Sequence, residues 1–108
     1  MQNKINVGLI GAGTVGSGTY KILKENFNEI YRKTGKEIVV FALAEKDIKR
    51  AKEVVDDKTL IFDDAFDLVR NENIHIVVEL IGGTGISKDL VAEALKNNKH
   101  VVTANKAL

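Results

Sequence analysis

The chain alternates short apolar segments with amphipathic ones, and this alternation restricts its possible folds more than any other feature. Helical spacing of apolar residues extends from the first glycines to Thr34, over 47–55, after Asp63 and Asp64, and over 87–98. The apolar segments between these stretches are short and uninterrupted, which suits strands covered on both faces, as in a parallel sheet. The segments expected to form strands are 5–10, 38–44, 60–62, 74–81 and 100–103.

A glycine motif joins the first strand to the first helix. Residues 11–16 read Gly-Ala-Gly-Thr-Val-Gly, a Gly-x-Gly-x-x-Gly pattern in the context where it is typical of dinucleotide binding. Gly11 would permit the tight turn, Gly13 the close approach of a pyrophosphate, and Gly16 the packing of helix on strand. The N–H groups and the dipole of the new helix would attract the phosphates. The alternative is a plain strand-to-helix turn in an unrelated α/β protein.

Together, the alternation and the glycine motif predict an α/β fold of the Rossmann type. We expect a doubly wound parallel sheet of about five strands in the order 3-2-1-4-5, with helices on both faces. A length of 108 residues is enough for one such domain and not for two. The expected cofactor is NAD(H) or NADP(H).

The residues after the second strand bear on the choice between these cofactors. An acid at this point hydrogen-bonds the adenosine 2′-hydroxyl and favours NAD, whereas a base favours NADP. Glu45 comes first, so the sequence favours NAD, while Lys46 beside it leaves NADP open. Asp47 is expected to cap the next helix. Solvated loop charges are the alternative interpretation of all three side chains.

Two further segments lie beyond the carboxyl ends of expected strands, where open parallel sheets bind ligands. Gly82, Gly83 and Thr84 follow the fourth strand and could bring backbone N–H groups to the cofactor, or form a plain turn before a helix. Lys106 falls just past the fifth strand. It could donate a proton or a hydrogen bond to a substrate oxygen, contact the cofactor, or remain solvated.

Three other polar residues lie in or beside the expected strands. Glu79 interrupts an apolar strand, and a buried carboxylate is costly unless it is paired or hydrogen-bonded. We expect backbone donors or a lysine to satisfy it, with an acid–base role as the alternative. His75 and His100 stand at strand starts, on the opposite edge from the expected site, and are interpreted as surface or packing residues. No metal site is expected.

Composition excludes several function classes. The net charge is +1 and is spread along the chain, so there is no electrostatic footprint for nucleic acid or an anionic membrane. There is no cysteine, which excludes a disulfide scaffold and a thiolate nucleophile and fits a cytoplasmic protein. The first apolar run is broken by Gly11 and is too short to span a membrane.

Three segments resemble the nucleotide-binding domain of homoserine dehydrogenase. They are Val7 to Gly18, Ile76 to Gly83, and His100 to Leu108, and the last is the most specific. Their order and separations agree as well, so the resemblance covers essentially the whole chain. The alternatives are another oxidoreductase with the same domain, or a non-enzymatic module that senses NAD(H).

The resemblance implies roles for individual residues. Those that would line the pyrophosphate are Gly11, Gly13, Thr14, Val15 and Gly16. Those that would lie on the nicotinamide side are Gly82, Gly83 and Thr84, and those bordering the nicotinamide ribose are Thr103, Ala104 and Asn105. Lys106 would match the active-site lysine. After the second strand many members show a Val-Arg-Asp-like segment where this chain has Ala-Glu-Lys-Asp at 44–47, which leaves the cofactor preference open.

The resemblance also implies a reaction and a larger protein. The family interconverts L-homoserine and L-aspartate 4-semialdehyde by hydride transfer, on the route to threonine, methionine and isoleucine. Its members run to several hundred residues, and the substrate-binding and dimerising portion follows this domain. We therefore expect residues 1–108 to bind the dinucleotide without turning over substrate, and the parent enzyme to be a homo-oligomer.

Overall fold

A computed structural model describes residues 4–11, 13–81 and 85–103. Strands and helices alternate along the chain, except that two helices follow the first strand. The strands are β1 (Lys4–Ile10), β2 (Glu37–Ala44), β3 (Leu60–Phe62), β4 (Ile76–Glu79) and β5 (His100–Thr103). The helices are α1 (Thr14–Glu25), α2 (Phe27–Thr34), α3 (Ile48–Val54), α4 (Ala65–Arg70) and α5 (Ile86–Lys96).

The five strands form one parallel sheet in the order β3-β2-β1-β4-β5, which confirms the predicted fold class and strand order. Their last residues are register partners of one another, so that all five strands end in a single row. Across the sheet this row reads Phe62, Ala44, Ile10, Glu79 and Thr103. Every connection that follows a strand therefore leaves the sheet along the same line.

The sheet is covered on both faces, as continuous apolar strands require. Neighbouring residues of β1 point to opposite faces, and Leu9 and Ile10 accordingly belong to different core clusters. One cluster brings Leu68 of α4 and Leu90 of α5 onto the sheet, and the other brings Tyr20 of α1. Full burial of a leucine contributes roughly 1.5–3 kcal/mol, so these two clusters stabilise the layered arrangement.

The first helical segment differs from the prediction of one continuous helix ending at Thr34. It breaks at Asn26, whose backbone N and side-chain Nδ2 both donate to the carbonyl of Ile22, at 3.0 and 2.8 Å. Asparagine competes for backbone partners in this way and is a weak helix former. Beyond the break, α2 has no buried residue, and Gly35 caps its end in the left-handed conformation that glycine adopts easily, with φ 73°.

The remaining boundaries lie close to those predicted. The fourth strand is shorter, 76–79. Ile74 is buried in the turn before it, and its N–H donates to the carbonyl of Asn71 at 3.2 Å instead of joining the sheet. Asp64 rather than Asp63 caps α4, by accepting from the N–H of Phe66 at 2.9 Å. Over the ranges that the structure describes, no helix has the length and apolar character needed to cross a membrane.

Candidate functional site

A cleft of about 900 Å³ opens along the row in which the strands end. Its described lining comes from four connections: β1–α1, β2–α3, β3–α4 and β4–α5. This volume lies within the range of about 300–1,000 Å³ found for small-molecule sites. The lining residues are Ile10, Gly11, Gly13, Ala44, Glu45, Lys46, Asp63, Asp64, Ala65, Asp67, Leu80, Ile81 and Ile86.

The glycine loop is built by backbone constraints that only glycine meets. Gly11 has φ 104°, and its N–H donates to the carbonyl of Ala44 at 3.0 Å, which ties the loop to the end of β2. A Cβ on Gly16 would lie 1.9 Å from the carbonyl oxygen of Gly11. The start of α1 therefore presses directly against the end of β1. Both glycines have the geometry that the motif predicts for a tight turn and for helix-on-strand packing.

Gly13 differs from its two neighbours in the motif, because its surroundings are open. It is the N-cap of α1 and accepts a hydrogen bond from the N–H of Ser17 at 2.8 Å. Among the residues that the structure describes, a Cβ built on it would meet no atom within 4 Å apart from its chain neighbours, so another molecule can come close to this backbone. The open first turn and positive end of α1 suit an anionic group at this point. The side chains of Thr14 and Val15, which the sequence also assigns here, lie outside the described part of the chain.

Glu45 and Lys46, the predicted ribose-contacting residues, both line the cleft where β2 ends. The N–H of Glu45 donates to the carbonyl of Phe62 at 2.9 Å, and its Oε2 accepts from the N–H of Asp47 at 3.2 Å. Asp47 itself caps α3 by accepting from the N–H of Arg50, as predicted.

The sequence interpretation missed an acidic group that lines the same cleft as Glu45 and Lys46. Asp63, Asp64 and Asp67 line the cleft from the β3–α4 connection. With Glu45 they make four carboxylates against one ammonium group, a formal charge of −3 among the described lining residues. The available signal was the position of Asp63 directly after a strand, which in a parallel sheet brings it to the same edge as the glycine loop.

The other end of the cleft is apolar. Leu80 and Ile81 follow β4 and Ile86 begins α5, and the two isoleucines are each 45% exposed. Exposed apolar side chains inside a cleft can pack against a flat ring. The sequence interpretation assigned the intervening segment, Gly82 to Thr84, to this side, and these residues lie outside the described part.

Glu79 lies beneath this end of the cleft and is completely buried. Its Oε2 accepts from the backbone N–H of Ile81 at 2.7 Å and from the hydroxyl of Ser87 at 2.8 Å. Its Oε1 accepts from the hydroxyl of Thr103 at 2.6 Å. The sequence interpretation named backbone donors or a lysine. Ile81 provides a backbone donor, and the two hydroxyls were not foreseen. Burial keeps Glu79 from the cleft and favours a structural role over direct acid–base chemistry.

Of the remaining predicted residues, Thr103 lies at the end of β5. Thr103 is the register partner of Glu79, and its hydroxyl is turned toward that carboxylate. Ala104, Asn105 and Lys106, predicted to border the nicotinamide ribose and to act on substrate, lie outside the described residues.

The two histidines lie at the opposite edge of the sheet and are exposed, as the sequence predicted. Nδ1 of His75 accepts from the N–H of Asn6 at 2.9 Å, and His100 N donates to the His75 carbonyl at 3.1 Å. Within the described ranges, no group of three or more His, Cys, Asp or Glu side chains is arranged to hold a metal ion.

The order of the sheet, the glycine loop between β1 and α1, and the cleft across the switch in strand order define a nucleotide-binding domain of the Rossmann type. The family model of the homoserine dehydrogenase NAD-binding domain matches residues 11–108, and the chain belongs to this family.

Curated relatives and solved structures agree with this assignment. Homoserine dehydrogenase from Methylobacillus glycogenes is 50% identical over 104 residues, which are 96% of this chain and 25% of that enzyme. The Pseudomonas aeruginosa enzyme is 46% identical over 105 residues, 96% of this chain and 24% of the enzyme. The crystal structure of a homoserine dehydrogenase from Thiobacillus denitrificans superposes with a TM-score of 0.87 at 45% identity, covering 95% of this chain and 24% of that one. The chain thus spans about a quarter of the length of the relatives it matches.

Proposed function

We propose that this chain is the cofactor-binding part of an enzyme that interconverts L-homoserine and L-aspartate 4-semialdehyde, in the biosynthesis of threonine, methionine and isoleucine. The observation that carries the proposal is the glycine loop, in which Gly11 and Gly16 bring the start of α1 against β1 while the backbone at Gly13 stays open. A bound nicotinamide dinucleotide supplies the hydride acceptor or donor for this reaction.

The residues present fit such a group. The backbone of Gly11, Gly13 and Gly16, together with Thr14 and Val15 at the start of α1, would hold the pyrophosphate. The positive end of the helix dipole favours the phosphate charges, and the missing Cβ at Gly13 leaves room for them.

Charge in the cleft supports NAD over NADP. A 2′-phosphate carries about −1.5 to −2 charges near neutral pH and would enter beside Glu45 and the aspartates of the β3–α4 connection. The formal charge of −3 on the described lining would repel it, whereas the Glu45 carboxylate can accept a hydrogen bond from a free 2′-hydroxyl. This total already includes Lys46, which offsets one of the four carboxylate charges.

The Glu45→Gln variant tests this preference. Loss of one carboxylate should lower the ratio of NADPH to NADH dissociation constants by about tenfold, because repulsion of the 2′-phosphate weakens. A Lys46→Gln variant should move the ratio in the opposite direction. An unchanged ratio in both variants would mean that neither residue contacts the 2′ position.

The apolar end of the cleft would receive the nicotinamide. Ile81 and Ile86 offer it a packing surface. Gly82, Gly83 and Thr84 would approach this half of the cofactor through their backbone, and Thr103, Ala104 and Asn105 would border its ribose. Lys106 would contact the cofactor and hydrogen-bond the substrate oxygen.

A calorimetric titration with NAD⁺, NADH, NADP⁺ and NADPH tests the binding function. Gly13→Ala should weaken binding at least tenfold and cost no more than about 1 kcal/mol of stability as a poorer N-cap, because its methyl group would meet the pyrophosphate but no atom of the described residues. Gly18→Ala is the matched control, since its methyl group also meets nothing within 4 Å but lies further along α1. Absence of binding to all four dinucleotides by the folded chain would contradict the proposal.

The substrate-binding and subunit-association functions would reside in the rest of the enzyme, because this chain spans about a quarter of its relatives. We therefore expect residues 1–108 to bind the dinucleotide and to oxidise no homoserine. A coupled absorbance assay at 340 nm checks this expectation, and robust turnover by the isolated chain would overturn it.

A further inference from the structure

Three residues of the cleft lining directly follow neighbouring strand ends. The ends of β1, β2 and β3 are aligned in register, and the residues after them are Gly11, Glu45 and Asp63. The N–H of Glu45 donates to the carbonyl of Phe62 at 2.9 Å, so the alignment of β2 with β3 continues to this point. Gly11, Glu45 and Asp63 therefore form a short row, which crosses the sheet from the glycine loop to its β3 edge.

This row gives a direction to the adenosine half of a bound dinucleotide. In the proposed function, the pyrophosphate lies at the glycine loop and the 2′-hydroxyl of the adenosine ribose lies at Glu45, one strand further out. Neighbouring strands are about 4.8 Å apart, so the end of β3 lies about 10 Å from the end of β1. An adenosine monophosphate unit extended along the row brings its base to the next position, which is that of Asp63.

The end of β3 has room for a base and an available carboxylate. Ala44 and Ala65 line the cleft with only a methyl group each, so a planar ring can approach the strand ends. Asp64 is already engaged, because its Oδ1 accepts from the N–H at the start of α4. Asp67 lies further along, in the first turn of that helix. Asp63 is exposed and directly follows the strand, which makes it the best placed of the three aspartates.

A carboxylate at this position distinguishes purines by their group at position 6. An ionised carboxylate only accepts hydrogen bonds. The 6-amino group of adenine donates them, whereas the 6-oxo group of hypoxanthine or guanine accepts them and would be repelled. Asp64 and Asp67 line the same cleft, and their negative charge disfavours a second acceptor further.

We propose that Asp63 is a specificity-determining residue, whose carboxylate accepts a hydrogen bond from the 6-amino group of the dinucleotide and selects 6-aminopurines over 6-oxopurines. The inference rests on the proposed function. It differs from the cofactor preference assigned to Glu45, because that preference concerns the 2′ position of the ribose, whereas Asp63 acts on the base.

The test compares NADH with reduced nicotinamide hypoxanthine dinucleotide by calorimetry, since these two ligands differ only in the base. NADH should bind the unmodified chain about fivefold more tightly, a smaller ratio than a buried charge-assisted hydrogen bond would give, because Asp63 is exposed. Asp63→Asn keeps the shape and introduces an amide that can donate as well as accept. The ratio of the two dissociation constants should therefore fall to about one in this variant.

Two further variants separate a direct contact from the effect of charge. Asp57→Asn is the matched control: Asp57 is also an exposed aspartate beside β3, but it precedes the strand and is not among the described lining residues. It should leave the ratio unchanged. Asp67→Asn removes a carboxylate within the cleft and should change the ratio by less than about twofold, because salt screens an exposed charge that makes no contact. Circular dichroism checks that each variant is folded.

The two ligands separate the base contact from the function on which it rests. If the folded chain binds neither ligand, the proposed function is wrong. If it binds both equally tightly, or prefers the hypoxanthine dinucleotide, dinucleotide binding stands and the role of Asp63 is wrong. A preference for NADH that persists in Asp63→Asn, or that Asp57→Asn or Asp67→Asn abolishes as completely, also overturns that role.

Discussion

At the scale of single residues, the glycine loop shows how one repeated residue type meets different requirements. Gly11 is needed for its positive φ of 104°, and Gly16 because a Cβ would lie 1.9 Å from a carbonyl oxygen. Gly18, two residues further along α1, has open space around its missing Cβ. At Gly11 and Gly16 the backbone geometry requires glycine, whereas at Gly18, just after the motif, it does not.

Paired glycine variants measure this difference. Gly16→Ala should destabilise the chain by about 3 kcal/mol or more, because backbone atoms of Gly11 must move to make room. Gly18→Ala should stabilise it by about 0.5–1 kcal/mol, since alanine is the better helix former. Urea unfolding followed by circular dichroism gives both values. Equal effects in the two variants would show that α1 does not press against β1 as described.

At the scale of elements, helix ends depend on single hydrogen bonds from side chains. Asp64 accepts from the N–H of Phe66 at the start of α4, while Asp63 beside it makes no such cap. Replacement of a capping aspartate by alanine costs about 1 kcal/mol. We expect that loss for Asp64→Ala and less than about 0.5 kcal/mol for Asp63→Ala, by the same unfolding measurement. A larger loss for Asp63→Ala would mean that the cap is assigned to the wrong residue.

The break at Asn26 separates two helices with different attachment to the core. Tyr20 of α1 is buried in the core, whereas α2 has no buried residue and exposes Tyr31 by 49%. Segments with few buried contacts open locally at a lower free energy than the rest of the fold.

Amide hydrogen exchange should therefore be faster over Phe27–Thr34 than in α5, where Ser87, Leu90 and Ala94 are buried. Measurement by NMR at pH 7 resolves the two helices. Equal protection factors would contradict the independent opening of α2.

At the scale of the whole molecule, an ion pair connects elements far apart in the chain. Lys24 in α1 contacts Asp56, after α3, at 2.9 Å. The hydrogen bond from the Lys24 ammonium lowers the pKa of Asp56, and the same bond raises the pKa of Lys24. Both side chains are largely exposed, at 49% and 38%, so the pair contributes only about 0.5 kcal/mol.

This pair predicts a small pH dependence of stability. Since the folded-state pKa of Asp56 lies below its ordinary 3.8, the stabilisation is present above that pH and is lost as pH falls through the lowered value. Unfolding free energies of the unmodified chain and Lys24→Met should therefore differ near neutral pH and converge under strong acid. Lys24→Met leaves the Asp56 bonds to Lys58 N and Thr59 intact. A difference that persists in acid would show that lysine packing, not the ion pair, is responsible.

Much of the fold follows from local patterns in the sequence. Each strand is a short apolar run, and a parallel sheet buried on both faces satisfies all of them at once, so the strand order could be predicted. The turn at Gly11 and the close packing at Gly16 could be predicted because the backbone itself demands glycine there. The break at Asn26 could not, since the apolar spacing continues through it.

The sequence by itself determined the class of fold, the glycine loop and the edge of the sheet where the site lies, because these depend on residue periodicity and backbone conformation. The tertiary structure alone decided which side chains meet there. It brought Asp63 and Glu45 into the lining of one cleft, and it joined Glu79 to Thr103, 24 residues further along the chain. The physical reason is register: the partners of a buried carboxylate are selected by the alignment of neighbouring strands, which no local pattern specifies.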